Sequence, residues 1–136
     1  MISSFNAATQ TVGVNEAYVF DTNRVVTGCT VGHVAGTPTF TLNKPGYYYI
    51  TFNTTFTTAA TGDATVELQN GGILVPGATG TETVTTAGDT KSISFATIIK
   101  VLPSCSVIDN TANITFVATG IELDATTAVV NITKLC

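Results

Sequence analysis

The chain has 136 residues, enough for one domain with its own core and no need of a disulfide or metal framework. Only 10% of residues are charged, against the usual roughly 25%, and the net charge is −4. The five bases, Arg24, Lys44, Lys91, Lys100 and Lys134, are scattered along the chain, which argues against a nucleic-acid footprint and against an anionic membrane surface.

Apolar residues do not recur at helical spacing over any long window. Short β-rich runs recur instead, divided by Gly, Pro, Asn and Asp. In chain order the predicted strands are 9–14, 17–20, 37–42, 47–57, 64–69, 73–76, 81–86, 91–101, 104–109, 114–119 and 128–135. Asn70-Gly71 supplies the two positive φ angles of a tight hairpin, and Pro45-Gly46 launches the longest strand. Strands of this number and spacing predict an all-β antiparallel sandwich or barrel over residues 1–136, a single domain.

The strand 47–57 carries Tyr48, Ile50, Phe52 and Phe56 on one face, the core face by its apolar character. Its other face carries Tyr47, Tyr49, Thr51, Asn53 and Thr55. The strand 91–101 behaves alike: Ile93, Phe95 and Ile99 point to the core, while Ser92, Ser94, Ala96 and Ile98 form a small, weakly polar face. Small residues beside amphipathic tyrosines suit a subunit interface. Tyr47, Tyr49, Thr51, Ser92, Ser94, Ala96 and Ile98 are therefore the candidate interface residues. A weakly charged, threonine-rich surface is compatible with such self-covering and equally with an ordinary solvent face.

The order of several short motifs resembles a known family. Phe20-Asp21-Thr22-Asn23, Thr27-Gly28, Gly32-His33, Thr39-Phe40-Thr41-Leu42 and Pro45-Gly46 with Tyr48 come first. Leu68-Gln69-Asn70-Gly71, Val75-Pro76-Gly77 and the ending Val129 to Leu135 follow. The chain resembles the C-terminal jelly-roll domains of the tumour-necrosis-factor and complement-globular-head superfamily, such as those of spore-surface (exosporium) collagen-like glycoproteins. The resemblance implies a two-sheet jelly roll of about ten strands that forms a homotrimer. It also implies that the tyrosine strand and the terminal strands face the three-fold axis. Relatives usually follow a collagen-like stalk, whereas here Met1 stands almost against the first predicted strand. Either a stalk and signal have been removed or the trimer is free-standing; with no basic stretch followed by an apolar run in MISSFNAATQTV, a free-standing chain would be a signal-less trimer released by lysis. A bacteriophage virion part, a decoration protein or a receptor-binding fibre, fits that expectation. A spore-surface protein and a monomeric carbohydrate-binding sandwich are the alternatives, the latter weakened by the absence of Trp.

No catalytic set is read. Cys29 and the single histidine, His33, are spaced as a nucleophile and base but lack an orienting partner in the sequence. No cofactor and no metal is expected: the acids are spread out, and Asp63 and Asp89 read as turn residues rather than calcium ligands. Cys29, Cys105 and Cys136 lack zinc spacing and read as reduced, small apolar residues, with one internal disulfide left open. The sequons at Asn53, Asn113 and Asn131 are chance matches in a threonine-rich chain. Candidate display loops are 58–63, 76–81 and 122–126, which could engage a host-surface glycan or other surface proteins.

Overall fold

The computed structural model describes residues 1–102 and 111–136; the predicted strand 104–109 and Cys105 lie outside the described residues. Twelve strands run through it. They are β1 (Ile2–Asn6), β2 (Gln10–Val12), β3 (Glu16–Ala17), β4 (Thr22–Val26), β5 (Val31–Gly32) and β6 (Phe40–Leu42). β7 (Gly46–Thr57), β8 (Gly62–Asn70), β9 (Ile73–Val84), β10 (Lys91–Val101), β11 (Ala112–Thr119) and β12 (Leu123–Lys134) complete the set.

The strands form two antiparallel six-stranded sheets. One runs β10-β7-β12-β1-β4 with β2 added to β12. The other runs β5-β6-β11-β8-β9 with β3 added to β11. This is the expected two-sheet jelly-roll architecture, with more strands than the ten foreseen. The additions have local causes. In β1, ISSFN, the inward positions are Ile2, Ser4 and Asn6, so two of three core-facing residues are polar and the apolar alternation is hidden. Hydrogen bonds make that burial tolerable: the Ser4 hydroxyl lies 2.6 Å from Asn23 Oδ1, and Asn6 Nδ2 donates to the Ala8 carbonyl at 2.8 Å. The runs 73–76 and 81–86 belong to one strand, β9. Its pairing with β8 jumps from Thr79 to Leu74 and absorbs the intervening residues as an irregularity. Pro76 is tolerated there because β9 pairs only with β8 and no second ladder needs its missing N–H.

The core lies between the sheets and is built on aromatic side chains. Phe52 of β7 stacks on Phe116 of β11 at 4.8 Å between ring centroids, joining the two sheets. Tyr18 meets Phe52 edge-on at 5.3 Å, and Phe20 and Phe40 do the same at 5.3 Å. Tyr48, Ile50, Phe52, Phe56, Ile93 and Ile99 are buried, and Phe95 packs half-buried beside Phe52 and Phe116. Gly120, between β11 and β12, has φ +90°, and a Cβ there would stand 2.3 Å from the Asp63 carbonyl oxygen. Only glycine fits that turn.

The Tyr18 hydroxyl lies fully inside, 3.3 Å from the Thr54 hydroxyl. Burial pushes its phenol up from 10.0 to about 12, partly offset by the bond to Thr54. The folded phenol thus keeps its proton to higher pH than the unfolded one. The associated stability is complete below pH 10 and is lost as pH rises through about 12. The Tyr18 share of that loss reaches about 2 kcal/mol by about pH 11.5. Urea unfolding at neutral and alkaline pH should show a shallower alkaline decline for Tyr18→Phe than for the wild type; equal slopes would exclude this account.

Candidate functional site

Strand pairing lays the outer face of the first sheet out in rows. Ile98 of β10 stands opposite Tyr49 of β7, which stands opposite Thr133 of β12. The next rows are Ala96, Thr51 and Asn131, then Ser94, Asn53 and Val129, then Ser92, Thr55 and Thr127. The alternation of β7 dictates this: with Tyr48, Ile50 and Phe52 held in the core, Tyr47 and Tyr49 must point outward. Tyr49 is 42% exposed and Ile98 56%.

All seven candidate interface residues therefore sit on one face. Below the tyrosine row the face dips into a shallow depression of about 490 Å³ lined by Thr51, Asn53, Ser94, Ala96, Val129 and Asn131. Its polar groups bond laterally: Asn131 Nδ2 donates to Thr51 Oγ1 at 3.3 Å, and the Thr55 and Ser92 hydroxyls lie 3.2 Å apart. None of the rows named above holds an ionisable acid or base of ordinary charge; Lys100, over the Tyr47 ring at 5.4 Å, marks the foot of the face. β12 supplies Val129, Asn131 and Thr133, which reading β7 and β10 alone leaves out. The outward alternation of Val129, Asn131 and Thr133 in the run 128–135 was the signal for them.

His33 occupies a different place. Its Nδ1 lies 2.6 Å from Asn23 Oδ1 and its Nε2 2.8 Å from the Thr37 carbonyl oxygen, while Asn23 Nδ2 donates to the His33 carbonyl at 2.9 Å. The ring stacks on Phe40 at 4.2 Å. Both nitrogens are engaged with Asn23 and Thr37 rather than with Cys29, so the Cys29–His33 spacing does not become a nucleophile and base. His33 instead ties β4 to the segment between β5 and β6. Cys29 and Cys136 are free and exposed, not packed in the core. Asp63 accepts from the Thr83 hydroxyl at 2.9 Å. Among the described residues no three His, Cys, Asp or Glu side chains gather as metal ligands. Of the candidate display loops 58–63, 76–81 and 122–126, only 58–61 and Glu122 lie outside strands: 62–63 opens β8, 76–81 lies within β9 and 123–126 opens β12, the turn before it being 120–122.

Solved structures share this architecture. The globular domain of zebrafish complement 1qA superposes with a TM-score of 0.69 at 12% identity, over 99% of this chain and 96% of that one. The fold is the tumour-necrosis-factor and C1q jelly roll. Eiger, a TNF from S. frugiperda, matches with a TM-score of 0.70 at 6% identity, covering 99% and 92% of the two chains. The PRD1 vertex protein P5 matches at 0.56 and 15% identity, over 99% and 96%. No protein-family model and no curated protein matches the sequence. At these identities the TNF-like likeness is one of fold.

A TNF-like sandwich of this kind depends on its edges being tied down, and His33 does this for the β4–β5 edge. His33→Ala removes the ring's polar contacts with Asn23 and the Thr37 carbonyl and a stacked ring, and should lower stability by about 2 kcal/mol in urea unfolding. A loss below about 0.5 kcal/mol would mean the network carries no net stability.

Proposed function

We propose that the chain is a non-catalytic, homotrimeric jelly-roll module of a particle surface, most fittingly a bacteriophage virion structural, decoration or receptor-binding fibre protein. One observation carries the trimer. The outer face of β10, β7 and β12 presents two tyrosines and an isoleucine over a floor of small uncharged side chains. Interfaces are depleted of charge at their centre and enriched in aromatic anchors, and small neighbours allow close backbone approach. The resemblance read from the sequence implies a three-fold arrangement through this same sheet.

The mechanism is geometric. Three-fold closure sets three copies of the 58–61 and 120–122 turns on one rim, where individually weak contacts add through multivalency. The virion location is supported by the likeness in fold to a vertex protein and by a surface poor in charge. A spore-surface location would leave the module unchanged.

Light scattering on a size-exclusion column, with reductant present, should give a mass near three times the 14.0 kDa chain. Tyr49→Asp places a carboxylate from each copy in the interface and should reduce that mass to one chain. A wild-type mass near 14.0 kDa would overturn the trimer and leave the tyrosine face as a ligand platform. An unchanged mass for Tyr49→Asp would move the interface elsewhere.

A further inference from the structure

Strand pairing sorts the charges by end of the sandwich. At the Gly46 end of β7 lie Lys100, opposite Tyr47, Lys134, opposite Tyr48, and Lys44 in the preceding turn. At the Thr57 end lie Glu16, Asp63, Glu82, Asp89, Glu122 and Asp124, with Lys91 as the base among them. Three of the five bases gather at one end, while Lys91 lies at the other and Arg24 sits on β4 over the Phe5 ring. β7 has 12 residues, so the two ends stand roughly 40 Å apart, several screening lengths at physiological salt. They act as separate surfaces.

The lysine end is also where large apolar side chains project. Ile73, 74% exposed, and Leu74 sit at the Asn70-Gly71-Gly72 hairpin. Leu102 follows β10 and is 62% exposed; Leu135 follows β12 and is 53% exposed. Glu67 approaches this end, its carboxylate accepting from Gln69 Nε2 at 3.1 Å where Gln69 stands opposite Leu74, and Asp109 is outside the described residues.

We infer that this end is a peripheral docking surface for an anionic lipid bilayer. The dispersal of the bases along the sequence argues against such a surface, but antiparallel pairing gathers three of them at this end. Lysines that keep their charge at the headgroups while apolar neighbours dip toward the acyl boundary suit a lipid surface. Protein interfaces are depleted in lysine, so an acidic protein fits this combination less well. The carboxylates of the far end lie several screening lengths from such a surface, on the side of the 58–61 turn. The inference does not rest on the trimer: Lys44, Lys134 and the hairpin are not among the candidate interface residues.

The test is cosedimentation of the full chain with vesicles of phosphatidylcholine containing about one-third phosphatidylserine, beside pure phosphatidylcholine vesicles. The wild type should bind the anionic vesicles only, and release in high salt. Each lysine near an anionic surface contributes about fivefold, so Lys44→Glu with Lys134→Glu should weaken binding at least tenfold. Ile73→Ser with Leu74→Ser should weaken it several-fold through a site unrelated to charge. Column mass and melting temperature of the same samples separate a docking defect from lost assembly or folding. Failure of the wild type to bind anionic vesicles at low salt, or binding indifferent to both variants, would overturn the proposal. Binding to soluble polyglutamate without vesicle binding would assign the end to an acidic protein and overturn it equally.

Discussion

The stack of Phe52 on Phe116 across the two sheets sets the phase of the whole molecule. A strand that puts one residue into the core commits its alternate residues to one side, and a slip by one position would reverse every side chain. With Phe52 inside, Tyr48, Ile50 and Phe56 follow it, and Tyr47, Tyr49, Thr51 and Asn53 are left outside. β10 and β12 are in register with β7 on its two sides, so they inherit the same division. The position of the outer face, though not its lack of charge, is therefore a consequence of core packing. Whatever selects small residues at Ser94 and Ala96 acts on a surface whose position the core has already decided.

Legibility in the sequence followed how apolar the inward positions are. β7 and β10 were readable because their inward residues are almost all aromatic or branched. β1 and β4 were not, because Ser4 and Asn23 fill their contact and the compensation is a hydrogen bond between strands that are distant in sequence. The first half of β12 was hidden for another reason: its pairing with β7 shifts between Ala125 and Thr127, so the alternation changes phase within the strand. The candidate face was legible in two of its three strands. The gathering of Lys44, Lys100 and Lys134 was not legible at all, since it exists only once the strands are paired. The role of His33 was equally hidden, because Asn23 and the Thr37 carbonyl meet it through turns rather than through a pattern.

The buried polar groups show how a threonine-rich sequence makes a core without ionic pairs. No buried side-chain nitrogen or oxygen among the described residues lacks a partner. Thr54 donates to the Thr127 carbonyl at 2.9 Å and meets Tyr18, so one hydroxyl serves both the ladder and the interior. Such groups cost little when satisfied and much when orphaned. They specify which strands are neighbours more sharply than the interchangeable aliphatic contacts around them.

The pairing of β1 with β12 has a consequence for how the chain is closed. Ile2 stands opposite Ile132, with strands running in opposite directions, so the backbone near its beginning and the backbone near its end lie one ladder spacing apart, roughly 5 Å. Between β1 and β12 the fold nearly closes into a ring whose gap borders the lysine end. A short linker across that gap would allow the cut to be moved to the 58–61 turn with both sheets intact. Strand order would then be a property of the circle, not of where the chain happens to start.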